Sequence, residues 1–323
     1  MFGEILSVLV ALSFTVTALF AEVGSKRMGS LPFNAVRMTM SLIFLALALW
    51  LTMGIPWPRY ADRVTWLWLL LSGLVGYVIG DYCLMKGYIL IGSRFGQLFM
   101  TLSAPTAAIL GRLFMGEQMR PLAIVGMIVT LTGIAISILS KQDKSGGLQL
   151  SISPKSIAIA CMAGICQGAG LVLSKIGLEH YYSSLASQGI SDTMVPDGAM
   201  LPVPLSVSIP FASTMIRGFM GLTGFLLLLM LFSKDGVGQL RHAVGDRKAV
   251  GAALGSMLFG PFIGVSLSLM ATHYTSTGIA QTLFALTPVL IIAPAAILFH
   301  QKVSAREVVG AIISVAGASM FFL

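Results

Sequence analysis

Ten runs of about twenty predominantly apolar residues take up nearly all of this 323-residue chain. A run of that length is what an α-helix needs to cross the hydrocarbon core of a bilayer, about 30 Å thick. The spans fall near 3 to 22, 33 to 53, 64 to 83, 92 to 115, 119 to 140, 155 to 177, 208 to 232, 248 to 269, 276 to 299 and 304 to 323. The first is too long for a cleaved signal, lacks a basic start and precedes no clear small-residue cleavage site. Composition agrees, because 56% hydrophobic and 10% charged residues leave too little polar surface to coat a water-soluble globule, which carries about a quarter charged residues. The net charge of +8 is concentrated in the connections, so it reads as topology signal rather than as a nucleic-acid surface. Cys83, Cys161 and Cys166 all lie inside apolar stretches, which supports neither a disulfide framework nor a paired-cysteine metal site.

The chain also resembles itself. Shifted by 184 positions, Asp62-Arg63 falls on Asp246-Arg247, Ser72, Gly76 and Gly80 on Ser256, Gly260 and Gly264, Gln97 on Gln281, and Gly126 and Gly133 on Gly310 and Gly317. A shift of 180 superposes Arg37 on Arg217, the difference being absorbed in the polar connection between Ser233 and Lys248. Self-similarity at a fixed offset marks a duplicated unit, here 1–145 and 152–323. Five spans per copy is an odd number, so the second copy enters the membrane from the opposite face. The predicted fold is therefore an all-α integral membrane protein of ten transmembrane helices in two inverted five-helix repeats, which gives two near-equivalent conformations around a midplane site. The recurrence of the Gly76/Gly80 pair as Gly260/Gly264 suggests a close, sliding helix seam. Pro105 and Pro288 sit inside the fourth and ninth spans, where each removes a backbone donor. Both are candidate hinges, offset by one residue in the repeat alignment; a purely structural kink is the alternative.

An arginine early in the second span of each copy (Arg37, Arg217), Ser103-Ala104-Pro105, Met115-Gly116-Glu117, and then Gly126 and Gly133 resemble the EamA-type domain of the drug/metabolite transporter superfamily. Gly80-Asp81 followed by Gly92-Ser93-Arg94 resembles a variant of that superfamily, and Gln301 departs from it by standing where the first copy has Glu117. The resemblance implies a secondary carrier of small metabolites or amphiphiles, often an exporter, in the cell's inner (plasma) membrane. It implies a central cavity built by helices one to four and six to nine, with five and ten peripheral. The expected partners are a small-molecule substrate and the lipid bilayer, without nucleic acid, metal or cofactor, in a monomer or homodimer. Twelve basic residues fall in odd-numbered connections and five in even-numbered ones, which places both termini outside by the positive-inside rule. The resemblance implies both inside.

Charges within spans are costly, about 3 kcal/mol at a helix centre, so each calls for a partner or a wet cavity. Arg37 and Arg217 are candidates to clamp an anionic group, or else snorkel to the headgroups. Asp81 is a candidate coupling carboxylate, or the partner of Lys86 or Arg94 across a short turn. Glu22, four residues from Lys26 on one helix face, is a coupling candidate or an ordinary edge pair. Gln97 and Gln281, at matching places, are expected to line the cavity or to bond between helices; Gln167 and Tyr77 are further lining candidates. His273 is a protonation-switch candidate or an exposed helix-end polar group.

The function classes narrow accordingly. His180, His242, His273 and His300 are scattered, no His-Glu-x-x-His run occurs and no glycine-rich phosphate loop is present, which disfavours an enzyme or an ATP-driven pump. The alternative to a carrier is a non-transporting membrane scaffold or lipid-handling protein.

Overall fold

The computed structural model describes residues 2–116, 121–141, 148–150, 152–190, 203–233, 235–274, 283–300 and 303–320. Its described residues are almost entirely helical. In chain order they form α1 (Phe2–Met28), α2 (Ser30–Met53), α3 (Arg63–Gly73), a π-helical segment (Leu74–Asp81), α4 (Tyr82–Phe99), a 3-10 turn (Met100–Leu102), α5 (Ser103–Met115) and α6 (Pro121–Ile138). A ribbon of two three-residue strands, β1 (Leu139–Lys141) and β2 (Leu148–Leu150), pairs antiparallel in the connection that follows. Then come α7 (Pro154–Ser187), α8 (Leu205–Phe232), α9 (Gly236–Gly245), α10 (Arg247–Met257), a second π-helical segment (Leu258–Phe262) and α11 (Ile263–Tyr274). The remainder is α12 (Thr287–Leu290), α13 (Ile292–Leu298) and α14 (Ala305–Ser319).

Among the described residues, six helices are long and apolar enough to cross a membrane, and shorter apolar helices occupy 128–137 and 287–298. One of the six is a continuous path of 53 residues, Arg63–Met115, in which the third and fourth predicted spans are joined without a loop. The path breaks at Gly92, where φ is +78° and ψ is 165°, a left-handed conformation that glycine adopts without steric cost. The chain doubles back there. Upstream, Gly80, Gly76 and Ser72 face Cys166, Gly170 and Ser174 in turn, antiparallel to α7. Downstream, Phe99 and Ser103 face Gly164 and Gly168, parallel to it. Asp81 consequently lies inside a helix, eleven residues before Gly92, instead of at the end of the third span.

The two halves pack as an inverted pair. At the α6–α14 contact Thr130 Oγ1 donates to the Ser314 carbonyl and Ser314 Oγ donates to the Thr130 carbonyl, both at 3.4 Å. Thr130 and Ser314 are 184 positions apart, so each half presents the same residue position to the other. Gly126 faces Gly317 while Ser137 faces Gly310, which fixes the crossing as antiparallel. α2 and α8 also cross antiparallel, with Leu42 against Gly218 and Met38 against Gly221. A symmetry axis crossing two antiparallel helix pairs relates the copies by inversion of direction.

The repeated sequence pairs now have structural reasons. Asp62 and Asp246 are equivalent N-caps, the first accepting from Thr65 N at 2.8 Å and the second from Lys248 N and Ala249 N at 3.1 and 3.2 Å, which satisfies donors that a helix start leaves free. Gly76/Gly80 and Gly260/Gly264 lie in and beside the two π-helical segments. Each pair is seated on the first helix of the opposite half: a Cβ at Gly170 of α7 would lie 2.8 Å from the Gly76 Cα, and one at Gly260 would lie 3.0 Å from Thr17 of α1. Small residues permit this approach, and the π turns themselves recur at the 184 offset.

The end of the sixth span is corrected. The sixth span does not stop near 177; α7 runs to Ser187. Its last turns bury Leu178, Tyr181 and Leu185 in a core cluster with Leu45 and Leu49 of α2 while Glu179 and His180 stay exposed, an amphipathic pattern that hydropathy undercounts. The polar connection between Ser233 and Lys248 contains a helix, α9, which buries Ala243 and tucks Leu240 against the core. Nearby, Arg27 at the end of α1 pairs with Asp246 at 2.7 Å.

Candidate functional site

Two cavity lobes of about 100 and 110 Å³ meet in the middle of the molecule and share Phe14, Gln97, Met100, Gln167 and Val265. Their walls come from α1, α2, the first π segment with α4, the turn and helix α5, α7, α8, the second π segment with α11, and α12. Among the described residues, none of α6 or α14, which are bound to each other, lines either lobe. This is the distribution that the resemblance implies.

The first lobe is organised around Arg37, which is 3% exposed. Its guanidinium donates to Asn34 Oδ1 at 3.0 Å and forms an ion pair with Asp81 Oδ2. The other carboxylate oxygen of Asp81 accepts from Gln167 Nε2 at 2.7 Å, and the same Gln167 nitrogen lies 3.2 Å from the Gly76 carbonyl. A π turn shifts the backbone register and leaves a carbonyl for such an outside donor. In the second half, Ser13 Oγ of α1 donates to the Phe259 carbonyl at 2.6 Å in the equivalent π turn.

Arg217 lines the second lobe and is 4% exposed. Both arginines are buried inside the protein rather than extended from its surface. Arg217 lies with its guanidinium carbon 4.6 Å from the centroid of the Tyr77 ring. Among the described residues it makes no ion pair or side-chain hydrogen bond, and its Nε is buried without a partner. The equivalence of the copies extends to the setting: Arg37 lies near Gly260 of the second half, and Arg217 near Gly76 of the first. At the 184 offset, however, Asp81 corresponds to Val265.

The other candidates separate. Asp81 pairs with neither Lys86, which bonds Tyr82 OH at 3.2 Å, nor Arg94, which sits 3.2 Å from Glu307. The reason is the helical extension beyond Asp81, which turns both bases away from it. Gln97 lines both lobes and donates to Tyr88 OH at 2.6 Å across the Gly92 turn. Tyr77 lines the first lobe with its hydroxyl buried and unpartnered. Glu22 stays outside the cavity: it pairs with Lys26 at 2.5 Å and accepts from Ser93 N at 2.6 Å, capping the helix that starts after Gly92. His273 is exposed and stacks on Tyr182, 4.8 Å between centroids, in a separate cleft. Pro105 follows the 3-10 turn Met100–Leu102, and Pro288 lies in the cavity wall within the short helix α12, where the ninth span is broken into pieces. Gln281, Glu117 and Gln301 lie outside the described residues.

Asn34, Phe14, Phe284, Ser268 and Val265 were not singled out from the sequence. Asn34 had a signal, since it is one helical turn from Arg37 and shares its face. The aromatic and valine positions had none, because apolar residues in a membrane helix carry no mark of whether they face lipid or cavity.

The chain matches the EamA-like transporter family over residues 1–139 and 202–323. It therefore belongs to the EamA-like transporter family, an integral membrane protein of a family that transports small substrates and is not enzymatic. No curated protein matches it. A solved structure described only as "Crystal structure of protein" overlays 97% of this chain on 95% of its own, with a TM-score of 0.49 at 16% identity.

Proposed function

We propose that the protein is a secondary carrier that moves a small metabolite or amphiphile by alternating access, in the export direction and in the plasma membrane, with 1–145 and 152–323 as its two copies. The observation that carries this reading is the placement of the cavity: it lies between two antiparallel halves and is walled by both. Inverted halves can exchange conformations, so the path opened to one face by one arrangement is opened to the other by its mirror. The glycine-lined contacts of the two π segments are the surfaces that would slide. Pro105 and Pro288 are proposed as the points where helices flex, and Gln97, Gln167 and Tyr77 as groups that touch the cargo. Asp81, Glu22 and His273 remain proposals for coupling; only Asp81 lines the cavity.

The test is flux in proteoliposomes containing the purified full-length chain, with and without a pH gradient, over a panel of amino acids, organic acids, sugars, nucleotides and organic cations. Saturable flux of one class above protein-free vesicles is expected. Absence of flux for every class, from folded protein, would leave the chain a non-transporting scaffold or lipid-handling protein.

A further inference from the structure

We infer that the cargo is a small organic monoanion, a carboxylate on an apolar body, held by Arg217 and not by Arg37. The inference rests on the carrier reading and adds the substrate class. Three observations carry it.

The first is charge. Among the described residues, Arg37, Asp81 and Arg217 are the charged groups lining the two lobes. Arg37 and Asp81 cancel, which leaves one positive charge. An isolated guanidinium in a buried site is costly, and an anion that arrives there recovers that cost.

The second is access. Arg217 has no competing partner among the described residues and borders open volume, whereas Arg37 is already bonded to Asp81 and Asn34. A planar guanidinium offers paired donors to a carboxylate. The third is the wall. Phe14 and Phe284 meet edge to face at 6.2 Å beside Arg217, with Leu171, Met100 and Pro288 around them. A lobe of about 110 Å³ has room for roughly seven to eleven water-sized groups, at about 10–15 Å³ each. That suits a compact aromatic or branched aliphatic acid.

The experiment compares phenylacetate, phenylacetamide and phenethylamine, which differ in charge at nearly constant shape. Thermal-shift binding to purified protein and flux into proteoliposomes are both measured. Phenylacetate is expected to bind and to be transported at least tenfold better than the amide or the amine. Arg217→Gln is expected to lose that preference, while Arg217→Lys keeps part of it and guards against misfolding as the cause. Carboxylate binding lost in Arg217→Gln but without flux in the parent protein supports the anion site and removes the carrier reading. Flux of the amide or the amine at a rate equal to or above that of the acid, or acid binding unchanged in Arg217→Gln, keeps the carrier and overturns the anion site. Neither binding nor flux of any of the three in folded protein overturns the monoanion assignment, and flux across the broader panel then decides the carrier reading separately.

Discussion

Arg37 and Arg217 occupy the same place in two copies of one design, each beside a glycine of the opposite half's π-helical segment, yet their electrostatic situations are opposite. Arg37 has a carboxylate within its own half, Asp81; in the second half the position equivalent to Asp81 is Val265, which offers Arg217 no charge. The shared features are all backbone matters: the capping aspartates Asp62 and Asp246, the glycines that let helices touch, and the π turns. Duplication preserved the geometry that lets the halves fit each other. The side chain at one position, 81 against 265, then decides which copy is electrostatically closed and which is open to a ligand.

The largest effect is expected from removing the closure. Asp81→Asn leaves Arg37 buried beside a neutral amide, and breaking one partner of a buried pair costs about 3–5 kcal/mol. A marked fall in melting temperature in detergent is expected. Adding Arg37→Gln to Asp81→Asn should recover most of it, because the pair removed together leaves no stranded charge. A double variant as unstable as the sum of the singles would show that the two sites do not behave as a pair. Next in size is the reverse change. Val265→Asp supplies the second copy with the carboxylate it lacks, so phenylacetate binding should weaken tenfold or more, about 1.4 kcal/mol, without loss of the folded protein. Undiminished binding would separate Arg217 from the comparison altogether.

Much of the architecture was legible from repetition alone, because a 184-residue offset survives in caps and contact glycines whose geometry tolerates little change. The glycines of the α6–α14 contact, Gly126, Gly133, Gly310 and Gly317, were legible for the same reason, although their pairing was not. The site was legible only in its charged and amide members. Arg37, Asp81 and Gln167 stand out in apolar runs, since a polar group in lipid needs a reason. Their partnership did not, because Asp81 read as the end of a span until the helix was seen to continue past it to Gly92. The significance of Val265 was illegible for a different reason: a valine draws notice only when its equivalent is known to be an aspartate that holds an arginine.

A smaller effect probes the axis between the copies. Thr130→Ala and Ser314→Ala each remove one of two reciprocal hydrogen bonds, worth about 0.6 kcal/mol apiece between membrane helices. Equal losses in the two variants are expected from the symmetry of the contact; a loss confined to one of them would show that the halves do not share this helix pair evenly.

The smallest effect concerns the caps. Hydrogen bonds from Thr65 hold the Asp62 carboxyl below the ordinary aspartate value, and the Arg27 hydrogen bond does the same for Asp246. A carboxylate whose folded value is depressed contributes stability at neutral pH, and that contribution fades as pH falls from about 3.9, the unfolded value, through the folded one. Asp62→Asn keeps a capping oxygen but cannot titrate, so it should match the parent at pH 7 and lose less of its melting temperature between pH 5 and pH 3. Asp246→Asn should do likewise with an added deficit at pH 7, because it also loses the ion pair with Arg27, which Asp62 has no counterpart for among the described residues. That difference is small at an exposed site and shrinks with added salt. A salt-independent deficit in Asp246→Asn would mean that the connection packs through shape and not through charge, and the two caps would then be equivalent in every respect that the repeat requires.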